Sequence, residues 1–252
     1  MSTSFRQKLS EKHPLIGLIV TLPAPETAEI LCKAGFDWLF VDMEHSALDA
    51  LALQRILQAA GPGCPCIARL PSDDEGWIKK ALDAGTAGII VPHVKTARQA
   101  EEIVRRAKYP PMGERSVGVS RAQGYGLTFE STVKEANDTI SVIVQIEERE
   151  AVNNVDAITS VSGVDAVFIG PYDLSGSMGK LGQVDAQDVQ EGIETVRFVC
   201  QTKGLPVGVF CIGVERANAF AQAGFDFIAV GIDTLYLIDG VRATLNAIRR
   251  NT

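Results

Sequence analysis

Eight short apolar runs recur along the chain, and each is separated from the next by a stretch of different periodicity. They are LIGLIVTL (15–22), DWLFVDME (37–44), CPCIARLP (64–71), AGIIVPHV (87–94), ISVIVQIE (140–147), AVFIGPYD (166–173), LPVGVFCI (205–212) and FIAVGID (227–233). Near-continuous apolar runs, unlike a clean apolar/polar alternation, mark strands covered on both faces, as parallel strands are. The intervening segments, such as PETAEILCKAG, DEGWIKKALDAG, TARQAEEIVRRA, AQDVQEGIETVRFVCQTKG and GVERANAFAQAG, have helical period. Several close on a glycine, Gly35, Gly85, Gly204 or Gly224, where a helix end favours positive φ just before the next strand. The fragments AGFDWLFVD (34–42) and AGFDFIAVG (223–231) nearly repeat each other at two such junctions. One βα unit repeated in this way predicts an α/β fold, a (β/α)8 TIM barrel with helices outside and layers of side chains inside. A doubly wound open sheet is the structural alternative, but no GxGxxG follows the first strand.

The chain has 252 residues, a length at which a barrel is routinely one domain. No low-complexity tract or linker breaks it, so a single domain over 1–252 is expected. Lys+Arg 24 against Asp+Glu 31 gives a net charge of −7, which leaves no basic field for a nucleic acid or an anionic membrane and favours small-molecule chemistry. The first residues, MSTSFRQKLSEKHP, lack the apolar core of a signal peptide, and no apolar run approaches the ~18 residues of a membrane span. A cytoplasmic protein is expected. The five cysteines, with CPC in place of a CxxC pair, read as buried reduced thiols.

In a barrel of this kind chemistry sits at the C-terminal strand ends. Residues two apart on a strand share a face, so Ile143, Gln145 and Glu147 form one face of the fifth strand, and Val167, Ile169, Pro171 and Asp173 share parity on the sixth. If the polar-ended faces point inward, Glu147 and Asp173 converge from adjacent strands, with Arg69 on the third strand and Asp42, Glu44 and His45 after the second. Singly, each has a structural explanation: a cap for Asp173, a first helical turn for Glu147, charge neutralisation for Arg69. Two carboxylates without paired His or Cys ligands suit a hard divalent cation, Mg²⁺ or Mn²⁺, that leaves positions for water and substrate. Such a site can chelate a 2-oxo acid, with Arg69 beside the enolate oxygen and His45 moving the proton. A Schiff-base lysine is the competing device, and Lys95 alone is placed for it. The irregular segment 108–128, KYPPMGERSVGVSRAQGYGLT, reads as a functional lid or a subunit contact.

The motifs VDMEHS, ARLPSDD, LDAGTAGIIVPHV, YPPMGERSVG, VQIEEREAVNN, GVDAVFIGPYDLSGSMG and FIAVGIDT, in this order, resemble the metal-dependent class II pyruvate aldolases of the HpcH/HpaI family. The resemblance implies a TIM barrel, commonly a homohexamer with C-terminal helices exchanged between subunits, that reversibly adds a pyruvate enolate to an aldehyde. It implies metal ligation by Glu147 and Asp173 (Mg²⁺ or Mn²⁺, with Co²⁺ also possible), pyruvate binding by Arg69, and acid/base work by His45 with Asp42 nearby and Asp83 as its partner. It further implies that Gly170, Pro171, Tyr172 and Asp173 hold the pyruvate carboxylate through backbone amides and that Gln145 lines the pocket. Tyr172 stands where the family often has a small residue. Arg121 is a candidate for gripping a polar or anionic aldehyde, and Phe210 for an apolar wall. Pyruvate and hydroxypyruvate both stay open as donor. A CoA-ester lyase, a phosphoenolpyruvate-type enzyme and a non-catalytic oxo-acid binder are the alternatives.

Overall fold

The eight apolar runs form eight parallel strands that close on themselves in sequence order in the computed structural model, which describes residues 4–9 and 13–249. They are β1 (Leu15–Val20), β2 (Trp38–Asp42), β3 (Cys66–Arg69), β4 (Gly88–Val91), β5 (Ser141–Ile146), β6 (Ala166–Ile169), β7 (Val207–Cys211) and β8 (Phe227–Ile232), with β8 pairing back onto β1. The helices are α1 (Phe5–Leu9), α2 (Pro25–Ala34), α3 (Ala50–Ala60), α4 (Glu75–Ala84), α5 (Ala97–Ala107), α6 (Phe129–Thr139), α7 (Arg149–Asn153), α8 (Val155–Thr159), α9 (Pro171–Ser177), α10 (Gln187–Lys203), α11 (Val214–Ala223) and α12 (Asp233–Arg249). The expected glycines end α2, α4, α10 and α11 in the left-handed conformation. The reading of residues 1–14 and of the chain's last residues rests partly on 1–3, 10–12 and 250–252, which lie outside the described residues.

Strand parity divides the core in two. Val20, Leu39, Val41, Ala68, Ile89, Val91, Val142 and Val144 pack outward against the helices. Inside the barrel, Phe5, Trp38, Phe40, Phe168 and Phe227 form a continuous aromatic stack, with ring centroids 5.3 to 6.1 Å apart. Two glycines make room for it: a Cβ on Gly17 would lie 2.4 Å from the Trp38 ring, and one on Gly208 2.3 Å from Phe227. Phe5 of α1, fully buried, seals the N-terminal end. Burial of such side chains contributes roughly 1.5–3 kcal/mol each, and it leaves the opposite, C-terminal end as the open mouth.

Along the inward face the residues turn polar only at the last strand positions, Asp42, Arg69 and Gln145, with Glu147 just beyond β5. The expected parity holds on β5 and β3 and fails on β6. There Phe168 is level with Gln145 and points inward, while Val167 and Ile169 belong to the outer core. Asp173 is therefore carried in by the first turn of α9 and not by the strand.

Segment 108–128 lies at the N-terminal end. Because α5 runs antiparallel to the strands, it finishes there, and the segment is tied down locally. Lys108 Nζ donates to the carbonyls of Asn137 (2.9 Å) and Ile140 (2.7 Å) and to Asp165 (3.0 Å), and Ser120 Oγ to the carbonyl of Asp83 (2.9 Å). Within one chain it is no lid over the mouth.

Candidate active site

The register of β2 against β3 sets Asp42 beside Arg69, and the two side chains form a bidentate pair. Arg69 Nε donates to Asp42 Oδ1 at 2.9 Å and Nη2 to Oδ2 at 2.7 Å. The guanidinium also lies 5.1 Å above the Phe40 ring. Burial opposes the charge on Arg69, but the Asp42 hydrogen bond and charge, with Glu44 and Glu147, more than offset it, and its pKa is raised. Asp42 Oδ1 accepts in addition from the backbone N–H groups of Glu44 (3.0 Å) and His45 (3.3 Å), so one carboxylate both aims the arginine and shapes the turn that carries the histidine.

Glu147 is 2 % exposed. Its Oε1 accepts from the His93 backbone N–H at 2.8 Å and its Oε2 from Gln145 Nε2. A Cβ on Gly170 would stand 3.1 Å from that Oε2, so glycine at 170 lets β6 approach the carboxylate closely. Asp173, exposed on α9, completes an acidic pair on the two sides of this approach.

Two residues that the sequence reading left without a role enter the site. His93, at the end of β4 with φ 57°, sets Nδ1 3.2 Å from Glu147 Oε1 and Nε2 3.3 Å from Glu44 Oε1. Glu44 is held against Arg69 Nε at 3.2 Å but off hydrogen-bond alignment, so its buried Oε2 has no hydrogen-bond partner. Burial raises the Glu44 pKa, Arg69 lowers it and Glu147 raises it again. The signal for His93 was present in VPHV, since it follows a strand end just as Glu147 does.

A cavity of about 200 Å³ lies over these groups, lined by Asp42, His45, Arg69, Gln145, Gly170, Pro171, Tyr172, Asp173 and Phe210 with Ile19, Thr21, Phe40, Phe168 and Ile232. The cavity thus brings together all but three of the expected site residues. Glu147 lies just beneath, bonded to Gln145. Asp83 and Arg121 lie at the other end of the barrel. Asp83, near the C-terminus of α4, accepts from Arg115 at 2.6 Å. The nearest acidic partner of His45 is Glu44, at 3.7 Å. Arg121 donates to the carbonyls of Ala84 (2.7 Å) and Leu57 (3.5 Å), capping the ends of α4 and α3. Neither reaches the mouth of its own barrel, because the C-terminal ends of these helices return to the strand starts. Lys95 is ion-paired with Glu148 at 2.8 Å, which raises its pKa and removes the neutral amine that a Schiff base needs.

Among the described residues no three His, Cys, Asp or Glu side chains are grouped to enclose a metal. The residues nevertheless fit a hard cation that keeps most of its positions for water and substrate. Glu147 and Asp173 supply carboxylate oxygens, and the buried Gln145 Oε1 has no partner.

An aimed arginine beside an acidic pair, in the mouth of a parallel barrel, defines a (β/α)8 enzyme acting on small anionic substrates. Residues 15–240 match the HpcH/HpaI aldolase/citrate lyase family, and the chain belongs to it. It is 36% identical over 253 residues to the hydroxypyruvate/pyruvate aldolase of Paraburkholderia phytofirmans (97% of this chain, 96% of that protein). It is 38% identical over 246 residues to the 4-hydroxy-2-oxo-heptane-1,7-dioate aldolase of Escherichia coli (96% and 94%). The crystal structure of an HpcH/HpaI family protein from Burkholderia cenocepacia superimposes with a TM-score of 0.94 at 33% identity, covering 98% of this chain and 99% of that one. With these relatives over nearly its whole length, the chain is a carbon–carbon lyase of the aldolase type.

Proposed function

We propose that the chain catalyses the reversible addition of the enolate of pyruvate, or of hydroxypyruvate, to an aldehyde, with a divalent metal ion at the mouth of the barrel. The observation that carries this reading is the convergence of the Asp42-aimed Arg69, the buried Glu147 and the exposed Asp173 on one small cavity. Glu147 and Asp173 hold the cation, Mg²⁺ or Mn²⁺ by their oxygen chemistry, with Co²⁺ also admissible. When bound, the cation supplies Lewis-acid polarisation of the donor's keto oxygen.

The remaining work falls to the chain. Arg69 sets a fixed positive charge where the enolate oxygen develops, and its pairing with Asp42 means that it does not reorganise as charge builds. The N–H groups of Tyr172 and Asp173, in the unpaired first turn of α9, face the donor's carboxylate. His45 has its side chain 65% exposed at the cavity edge and moves the proton between donor, water and aldehyde oxygen. The apolar floor of Phe40 and Phe168 limits water beneath the reacting carbon.

A homo-oligomer, a hexamer with α12 exchanged between neighbours, is part of the proposal. It is supported by the apolar face that α12 leaves exposed: Tyr236, Leu237, Val241, Leu245 and Ile248. In such an assembly the pairing of Asp83 with His45, which the family resemblance implies, would be made between chains. A cytoplasmic setting goes with this reading; among the described residues no helix is long and apolar enough to cross a membrane.

The test is exchange of the pyruvate methyl protons in D₂O, followed by NMR, on metal-stripped protein and after addition of Mg²⁺, Mn²⁺ or Co²⁺. Exchange that needs metal, and is lost in Glu147→Gln while that variant keeps its melting temperature, is expected. Metal-independent exchange would remove the metal assignment, and absence of exchange from both pyruvate and hydroxypyruvate would remove the enolate reading.

A further inference from the structure

Once a 2-oxo acid occupies Arg69 and the Glu147–Asp173 side, the acceptor is left with the outer part of the cavity, formed by Thr21, Tyr172, Phe210 and Ile232. None of these is cationic. The Thr21 hydroxyl is committed to Asp233 Oδ1 at 2.7 Å, and Asp233, 6% exposed, also takes the N–H groups of Thr21 and Leu22 at 3.0 Å each. Arg69 is the sole Lys or Arg lining the cavity, and both of its inward donors are used by Asp42. Lys95 is tied to Glu148, and Arg121 caps helices at the far end of the barrel.

The local charge points the same way. Asp42, Glu147, Asp173 and Asp233 ring the mouth, Glu44 lies behind Arg69, and the donor brings a carboxylate of its own. Even with a divalent cation in place, no positive charge is left over for a second anion. A carboxylate on the acceptor would lose its hydration against Phe210, Ile232 and Tyr172 without a partner, which is costly.

We infer that the acceptor is an uncharged aldehyde with an apolar substituent, seated against Phe210, Ile232 and Tyr172. This rests on the aldolase reading above and departs from the E. coli relative. Cleavage of a 4-hydroxy-2-oxoheptane-1,7-dioate between C3 and C4 releases an aldehyde bearing a carboxylate. The step itself balances without a further reagent. The donor methyl loses a proton, its electron pair forms the new C–C bond to the aldehyde carbon, and the aldehyde oxygen gains a proton.

Two isosteric acceptors decide it: 4-methylpentanal and 4-oxobutanoate, which differ in placing a CH(CH₃)₂ group or a carboxylate at the same position. Pyruvate methyl exchange is measured first on the Mn²⁺-loaded protein, so that a dead donor site is recognised before acceptors are compared. In protein that exchanges, kcat/KM should favour 4-methylpentanal by about tenfold or more, the lower range for a mismatched group in a desolvated pocket. Equal or better use of 4-oxobutanoate, or refusal of 4-methylpentanal, would overturn the inference while leaving the aldolase reading intact; absence of exchange would sink both. Tyr172→Arg, at a half-exposed position, supplies the missing cation and should move the ratio toward 4-oxobutanoate. An unmoved ratio in a variant that still exchanges would show that the acceptor tail does not lie at this wall.

Discussion

Asp42→Asn isolates the pair on which the site is built. The wild-type carboxylate takes two hydrogen bonds from Arg69, at 2.9 and 2.7 Å, and two from the backbone at Glu44 and His45. The amide can keep Oδ1 and its three donors, but it turns an NH₂ toward Nη2 and removes the charge. Breaking a buried ion pair by neutralising one partner costs about 3–5 kcal/mol. Glu44, 3.2 Å from Arg69 Nε, retains part of the attraction and sets the expectation at the lower end, about 3 kcal/mol. At roughly 2–4 °C per kcal/mol for a chain of this size, the melting temperature should fall by about 6–12 °C. With Arg69 free to swing toward Glu44 or Glu147, pyruvate methyl exchange should slow by about 10² or more, in the range reported for loss of a preorganised electrostatic group. Calorimetry and the D₂O assay read the two effects on one preparation. A variant that melts within 2 °C of wild type, to take a rough threshold well below that shift, and exchanges at an unaltered rate would refute the claim that Asp42 aims the arginine.

Three other outcomes follow from the same geometry. His45→Ala should slow methyl exchange by ~10² or more with little change in melting temperature, since the side chain is mostly exposed; unaltered exchange would remove His45 from proton transfer. Arg121→Ala should lower the melting temperature through loss of the caps on Ala84 and Leu57, by roughly 1–2 kcal/mol in stability, and leave aldehyde KM unchanged; a KM effect at unchanged stability would restore its proposed grip on the acceptor. Thiolates are the alkylated species, and burial pushes Cys200 up to about 12 and Cys211 to about 11, whereas the hydrogen bond from Cys64 lowers partly exposed Cys32. Iodoacetamide at pH 8 should therefore modify Cys32 first, and labelling of Cys200 or Cys211 ahead of it, read by peptide mapping, would contradict the burial argument.

Much of this protein was legible in its chain because the signals are local. Strand and helix periods, the glycines that end α2, α4, α10 and α11, and the polar residues that terminate inward-facing strand positions all follow from spacings of a few residues. Arg69, Gln145 and Glu147 could be placed at the mouth because a single parity, once chosen, carries along a strand. Asp42 and His45 followed as the residues at and after the end of β2. The family resemblance added the reaction.

What depended on tertiary structure was what no local pattern holds. Every residue of β6 is apolar, so alternation could not say which ones face in; the pairing of Gln145 with Phe168 did, and it moved Asp173 from strand to helix. The chain after α5 reads as a lid in sequence, but an antiparallel helix ends where strands begin, and that alone carries Arg121 away from the chemistry. Asp83 goes with it, bound to Arg115. His93 and Glu44 became part of the site only when closure of the barrel brought the ends of β2, β4 and β5 within reach of one another. Sequence spacing sets which side of an element a residue occupies, whereas a site joins the ends of several elements, and those meet only when the barrel closes.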